Sequence, residues 1–571
     1  MSLSAPPRFR GVFRTDELAR AVYSEAAGVA RIVPAAVAVP ADADDLVTLV
    51  RWAAASRVSL VPRGSGSSMA NGALGEGVIV DLARFDHVGS VERGASEAAG
   101  AAAEAAPATI TVGAAVTRDR VQAVVREHGL TFPIDPSSSA FATIGGLCAT
   151  HAAGARTVKH GPLRAWITGL DCVFADGTRA WLRRTGRGAL GGVDGATGAA
   201  SATDPATVRA LQRFDVHVAP RVLAARREHL RHEGVRKESS GYALDAWLDS
   251  RDPIDLILGS EGTLAFIVGV ELRLTRLPAA TASLLAGFPD LEGAASAAGR
   301  LAASGASAVE LLDRTFLEIA ASEGSPLPLP EGLEAVLVVE SEGTSSDRLE
   351  RQMGELAGIC ETGGATHVEL ALGADGEARI WALRHAASPI LNRLAPRLQS
   401  MQLIEDGCVP PPKFAEYVRG VRAALDRAAF RGVIFGHAGD AHAHVNALVD
   451  VAEPDWRARA ERLVAEVTAL VARLGGTLAG EHGDGRLRTP LLAHTWPAEA
   501  LELFAATKRA FDPEGILNPG VKVPLPSAAP LVDLKYDPAL PPLPTAARAA
   551  LDRIVREKDW SHHRLDLVGE V

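Results

Sequence analysis

Apolar and polar positions follow two periods along the first third of the chain. Val37–Val39 is a short apolar strand, and from Asp42 onward Leu46, Val47, Leu49, Val50 and Ala53 recur at helical spacing. That pattern predicts a helix capped by Asp42. Ser59–Pro62 and Gly77–Leu82 read as further strands, so residues 33–82 form an α/β unit. Thr109–Gly113 is a strand, Thr117 caps a helix that stops at Gly129, and Leu170–Ala175 runs into an Asp176-Gly177 hairpin turn. From about Thr281 the texture changes. A strand near Ser283, a helix over Glu292–Ala303 and strands over Ala308–Leu312 and Ala335–Glu340 suggest a βαββ layer, suited to a separate substrate domain. Arg457–Leu474 is an amphipathic helix ended by Gly475-Gly476. The segments 92–108 and 186–204 read as variable loops. Beyond Pro524 a Pro- and Leu-rich stretch with a helix near Ala546–Arg556 reads as a linker plus a docking segment.

At 571 residues the chain exceeds what one core organises, so two or more domains are expected. Hydrophobic residues at 47% and charged residues at 22% fit a globular protein. A net charge of −10 offers no general attraction to nucleic acid. Cys148, Cys172, Cys360 and Cys408 form no C-x-x-C pair, which leaves no zinc ribbon or cysteine-held cluster and favours a reduced, cytoplasmic setting. The first residues lack a signal-peptide layout and no apolar run nears the roughly 20 residues of a membrane span. Attachment to a membrane through a partner stays open.

Three loops carry the first chemistry. Pro62-Arg63-Gly64-Ser65-Gly66-Ser67-Ser68 offers free backbone N–H groups to an anion, yet Met69 breaks a G-x-G-x-x-G pattern and no Gly-Lys-Ser/Thr follows. Asp135-Pro136-Ser137-Ser138-Ser139, followed by Thr143-Ile144-Gly145-Gly146, Thr150 and Ala153-Gly154, is a long segment of small and hydroxyl residues able to wrap a pyrophosphate. Gly259-Ser260-Glu261-Gly262 is a turn entering an apolar strand that contains Ile267. Any one of these alone is an ordinary surface turn.

A second constellation lies later. His437, His442 and His444 sit around a Gly439-Asp440 bend, and Glu481-His482 stands in Gly480-Glu481-His482-Gly483-Asp484-Gly485. A lone histidine there is more often a polar loop residue. Several histidines and a carboxylate in two glycine-rich loops point instead to a site for Zn, Mn or Fe(II).

In order and spacing, the three loops resemble the FAD-binding domain of the vanillyl-alcohol-oxidase superfamily, and within it the FAD-linked D-lactate, glycolate and D-2-hydroxyglutarate dehydrogenases. The likeness covers roughly Pro34–Lys522 and closes with Phe511-Asp512-Pro513-Glu514-Gly515-Ile516-Leu517-Asn518-Pro519-Gly520. It implies an α+β protein: a two-subdomain PCMH-type FAD-binding domain plus a ferredoxin-like α+β substrate (cap) domain. The expected boundaries are an arm over 1–32, the FAD domain over 33–280, the substrate domain with the metal site over 281–480, a returning segment over 481–522 and the tail over 523–571.

The resemblance also implies roles. Residues 62–68, Pro136, Ser137, Ser138, Thr143, Gly145, Gly146, Thr150, Gly154, Glu261, Gly262, Ile267 and Asn518 would contact FAD. The FAD is expected to be noncovalent because the first loop holds no His or Cys, with His151, where the family often has Asn, as the residue to watch. His437, His444 and Glu481 would bind the divalent metal and His482 would be the base beside the flavin. Arg384 and Ser388 match the family's substrate arginine and its Thr or Ser partner, and Asn446 a substrate-contacting Asn. The family lysine that serves a second carboxylate is missing: Ile404 stands there, with Gln402 nearby. The expected activity is oxidation of a D-2-hydroxy acid, lactate-like, with D-2-hydroxyglutarate or glycolate as alternatives. Electrons would pass to a quinone, a cytochrome or an iron–sulfur electron-transfer protein. An oxidase of the same fold using dioxygen, a flavoprotein subunit of an iron–sulfur complex and a flavin-free metallohydrolase are the other readings, and a homodimer stays open.

Overall fold

The computed structural model describes residues 3–94, 108–184, 205–322, 329–391, 397–557, 559–560 and 562–569, with the backbone alone at 205 and 385–391. The two expected variable loops fall mostly outside these residues.

Three sheets organise the chain. The first runs in the order Val12–Arg14, Ala36–Val39, Val78–Asp81, Leu60–Arg63, the last three parallel. Its crossover helix, Ala43–Ser56, starts where Asp42 accepts from Asp45 N at 3.0 Å, and it buries Leu46, Leu49, Val50 and Ala53. Val12–Arg14 pairs antiparallel with Ala36–Val39, so the N-terminal arm is part of this sheet.

The second sheet is antiparallel: Val88–Arg93, Ala108–Gly113, Ala265–Arg276, Ile167–Phe174, Arg179–Arg183. Ala265–Arg276 is its centre, which accounts for a nearly unbroken apolar run where alternation would mark a half-exposed strand. The edge strand Val88–Arg93 was not visible in the sequence, being mostly polar and partly exposed.

The third sheet belongs to the substrate domain and begins at Ala280–Phe288, with Ala335–Gly343 and Ala308–Asp313 beside it as the βαββ pattern implied. It continues through Arg431–Gly436 and His442–Asp450 to Leu398–Met401. Helices Leu291–Ala303, Ser346–Thr362, Phe414–Arg427 and Trp456–Arg473 pack into one large apolar core over this sheet. The chain then returns: Ala498–Phe511 packs into the second sheet's core and Leu517 bridges Leu60.

The tail does not hang free for docking. Ala547, Ala550 and Leu565 share a core with Tyr23, Val37 and Ile79, because the apolar face of helix Thr545–Glu557 is spent on the first sheet. Among the described residues no helix is long and apolar enough to cross a membrane.

Candidate active site at the junction of the two domains

A cavity of about 1160 Å³ runs between the first two sheets and the third. It exceeds the roughly 300–1,000 Å³ usual for a small-ligand pocket, as a dinucleotide together with a substrate requires. The structure brings residues 62–68, Pro136, Ser137, Ser138, Thr143, Gly145, Gly146, Thr150, Glu261, Gly262 and Ile267 onto its wall. The loops are pressed together. A Cβ on Gly64 would stand 2.4 Å from Thr143 Oγ1, and one on Gly145 would stand 2.7 Å from Ala114 Cβ. Ser68 Oγ is buried with no partner within the protein, which fits an acceptor supplied by a ligand.

Several expected contacts have other duties. The Arg63 guanidinium turns inward and donates to the carbonyls of Tyr23 (3.1 Å) and Glu25 (2.8 Å). Gly154 is off the wall; its carbonyl accepts from Lys237 Nζ at 2.9 Å. Asn518 is off the wall too. Its amide donates to the Gly72 and Glu261 carbonyls and accepts from Arg486, a strut with every polar atom used. The Glu261 carboxylate accepts from Asp484 N (2.7 Å) and Gly485 N (3.1 Å), tying the flavin-side turn to the loop that carries Glu481. His151 also faces away from the cavity: its Nδ1 pairs with the Glu238 carbonyl at 3.2 Å.

The histidines meet at Glu481. His437 ends strand Arg431–Gly436, and His442 and His444 open strand His442–Asp450, so one hairpin presents all three. Each ring uses one nitrogen outward. His437 Nδ1 donates to Glu310 Oε1 (2.6 Å), His442 Nε2 to Asp406 Oδ1 (2.9 Å), and His444 Nδ1 to the Glu405 carbonyl (2.9 Å). His482 Nδ1 donates to Glu405 Oε2 at 2.6 Å. The remaining nitrogens converge on the Glu481 carboxylate, at 3.2 Å (His437), 3.4 Å (His444), 3.5 Å (His482) and 4.0 Å (His442 Nδ1).

Burial lowers the His442 pKa to about 4, against the hydrogen bond it donates to Asp406, which raises it, so its ring is neutral and its Nδ1 carries a buried lone pair without a partner. Burial opposes protonation of His444 too, but its hydrogen bonds to Glu405 and Glu481 lift it to about 9. A carboxylate ringed by imidazole nitrogens needs shared positive charge, from protons or a cation. The oriented outward hydrogen bonds are those of metal-binding histidines. His437, His442, His444 and Glu481 therefore fit a divalent ion.

Sequence reasoning did not find the supporting set. Glu310, Glu405, Asp406, Lys237 and Arg488 are all buried. Asp406 accepts from the backbone of Glu481 and His482 and so aims both side chains. Lys237 Nζ reaches Glu481 Oε2 at 3.1 Å. Gly480 and Gly483 make the approach feasible, since a Cβ would lie 2.8 Å from His442 Nε2 at the first and 2.6 Å from the Glu261 carboxylate at the second.

Arg384, expected to hold the substrate, has a partner within the protein. It is buried with its Nε on Glu310 Oε2 at 2.6 Å and its guanidinium over the Phe435 ring, and it does not line the cavity. Helical spacing gave no hint of this, because Glu310 comes from a strand 74 residues away. The side chain of Ser388 lies outside the described residues. Asn446, Gln402, His444, Glu481 and His482 do line the cavity.

Comparison to known proteins agrees with a flavin-binding first domain. Residues 34–183 match the FAD binding domain family and residues 277–521 match the FAD linked oxidases, C-terminal domain. The chain belongs to the FAD-linked oxidases. It is an FAD-dependent oxidoreductase. It is 29% identical over 512 residues to the glycolate oxidase subunit GlcD of Bacillus subtilis, covering 89% of this chain and 93% of that one. It is 26% identical to the D-lactate dehydrogenase of Archaeoglobus fulgidus, covering 84% and 89%. With the D-2-hydroxyglutarate dehydrogenase of Pseudomonas putida it is 27% identical over 97% of this chain, which spans 54% of that relative. Among solved structures, 4-ethylphenol oxidase from Gulosibacter chungangensis superposes with a TM-score of 0.62 at 16% identity, covering 90% of this chain and 94% of that one, a likeness of fold.

Proposed function

We propose that the FAD-linked oxidoreductase oxidises a small 2-hydroxy acid of the D-lactate or glycolate type to the 2-oxo acid. The observation that carries this reading is the meeting of two chemistries on one cavity wall: the loops at 62–68, 136–146 and 261–262 face His444, Glu481, His482 and Asn446. Bound FAD would supply the hydride acceptor, and a divalent ion, which His437, His442, His444 and Glu481 would hold, would supply charge that acidifies the substrate hydroxyl.

His482 is the base. Its side chain is 27% exposed and faces the cavity, with Nδ1 fixed on Glu405 and Nε2, 3.5 Å from Glu481 Oε1, as the nitrogen that would take a hydroxyl proton. Burial lowers its proton affinity, while the charges of Glu405 and Asp406 outweigh burial and raise it to about 9. The imidazolium left after proton uptake is thus well stabilised. A cation held at Glu481 would offset the carboxylate charge and lower the proton affinity of the resting ring. Asn446 and Gln402 orient the substrate's polar end.

The substrate domain's contribution to the wall, Leu398–Ser400, Gln402, Glu405, Phe435, His444, Asn446, Glu481 and His482, includes no Lys or Arg among the described residues. That favours a monocarboxylate over a dicarboxylate, in keeping with Ile404 where a lysine was sought. The test is anaerobic mixing of the yellow protein with D- and L-lactate, glycolate and D- and L-2-hydroxyglutarate. Bleaching of the flavin by D-lactate or glycolate is expected, and a flavin that none of them bleaches refutes the reading. The glycolate oxidase relatives are named as subunits, which favours a second reading alongside the first, that the chain passes electrons within a larger assembly. Co-purification with an iron–sulfur partner, against free reactivity with dioxygen, separates the two.

A further inference from the structure

The cavity has two electrically different ends, and one of them is built by a segment outside the matched family domains, which stop at residue 521. The tail crosses the N-terminal arm. Leu534 bridges Ala30, Lys535 N donates to the Val29 carbonyl (2.8 Å), and Arg31 N donates to the Asp533 carbonyl (2.7 Å). The arm is in turn laid on the first loop, with Ala27 N on the Gly66 carbonyl at 3.0 Å and Gly28 N on the Ser68 carbonyl at 3.1 Å. Arg564 from the tail and Arg63 from the first loop both donate to the Glu25 carbonyl, at 3.1 and 2.8 Å. The Glu25 carboxylate takes Arg31 at 2.8 Å and Arg548 at 3.0 Å. Tail, arm and first loop form one hydrogen-bonded unit.

This unit presents Arg31, Lys535, Arg548 and Arg556 to the cavity together with the carboxylates of Glu25 and Asp552. Four cations against these two anions, with Glu557 beside Arg556 at 3.3 Å, leave a net positive charge beside the loop of small residues. The opposite end carries Glu405, Glu481 and the imidazoles. We propose that the C-terminal segment, through residues 535–536, 548–556 and 560, is a wall of the FAD site. Lys535 and Arg556 face the pyrophosphate and its flanking adenosine, and the Tyr536, Val555 and Trp560 side chains give the apolar surface beside them. The inference rests on the cavity being the FAD site. An adenosine diphosphate half brings negative charge and a flat ring, which match the net positive charge and the apolar strip. The isoalloxazine half would be served by the histidine end of the cavity and would gain nothing from the wall.

The experiment uses the full-length holoenzyme with Lys535→Glu and Arg556→Glu combined. FAD release on dilution is followed by flavin fluorescence, and the stripped proteins are then titrated with FAD and with FMN, which lacks the adenylate. The expected result is FAD release at least tenfold faster and FAD affinity at least tenfold weaker, with FMN, which keeps one phosphate, weakened several-fold less. Raising the salt concentration should weaken FAD binding to the wild type more than to the variant. Equal weakening of FAD and FMN, or no change in either, overturns the proposal. Should the double variant fail to fold, Arg556→Glu alone, on a side chain 69% exposed, is expected to lower FAD affinity about threefold and spare FMN; no loss there also overturns it. A wild-type protein that binds neither flavin would instead refute the FAD reading of the cavity.

Discussion

Replacing Asp406 by Asn tests how the catalytic loop is aimed. Asp406 is fully buried and its Oδ2 accepts from His482 N at 2.9 Å, while its Oδ1 accepts from His442 Nε2 at 2.9 Å. Glu481 N is shared between both oxygens at 3.2 and 3.3 Å. An amide keeps only one acceptor oxygen. If the NH2 group replaces Oδ2, the buried His482 N is orphaned, at about 1–3 kcal/mol; if it replaces Oδ1, the neutral His442 ring must change tautomer and turn its proton toward Glu481, which blocks its ligand nitrogen. The lost charge beside Arg488, 3.6 Å away, adds to this, although Arg488 keeps its pairing with Glu405. A total of roughly 2–4 kcal/mol follows. In a domain of roughly 150–250 residues each kcal/mol lowers the unfolding midpoint by about 2–4 °C. Because the same bonds orient Glu481 and His482, metal affinity and the rate of flavin reduction should fall by about 10–100-fold. Differential scanning calorimetry, elemental analysis and anaerobic stopped-flow on one preparation measure all three. An Asp406→Asn protein with wild-type midpoint, metal content and reduction rate would refute the orienting role.

His442→Phe removes the unpartnered Nδ1 while keeping a ring, and should cut bound metal at least tenfold by elemental analysis without loss of FAD; full metal retention counts against it as a ligand. His482→Ala should stay yellow but lose substrate-driven bleaching, and a variant that bleaches at the normal rate removes His482 from the chemistry. Across the domain junction, Glu342 of the substrate domain faces Lys159 (2.7 Å) and His160 (3.3 Å) of the FAD domain. Burial opposes ionisation, yet the hydrogen bonds of His160 and Lys159 hold its carboxyl down to about 2, below the unfolded value of 4.5. A depressed carboxylate contributes stability that is complete above pH 4.5 and is lost as pH falls toward 2. The gap in midpoint between wild type and Glu342→Gln should therefore shrink as pH drops below 4.5, and a gap constant with pH would sink the assignment.

The loops were legible because their signals are local. Asp42 and Thr117 cap the helices they were expected to cap, since a side-chain oxygen three residues before a free N–H needs no distant partner. The small residues of 62–68 and 136–146 line the cavity for the same reason: backbone donors are exposed wherever side chains are absent. The metal residues were legible as a cluster of types, but His442 stayed undecided beside its neighbours. Its role depends on Asp406 and Glu481, 36 and 39 positions away.

Sequence alone determined that this chain has a flavin-type cradle, a histidine and glutamate constellation, and a second α+β domain, because residue type and short spacing encode each. Tertiary structure decided which way the polar side chains point. It turned Arg63 inward, gave Arg384 to Glu310, surrounded Glu481 with Lys237 and four imidazoles, and folded the tail back over the arm. A buried charge takes whichever opposite group the sheet register and the domain junction bring within reach, and no periodicity along the chain records that partner.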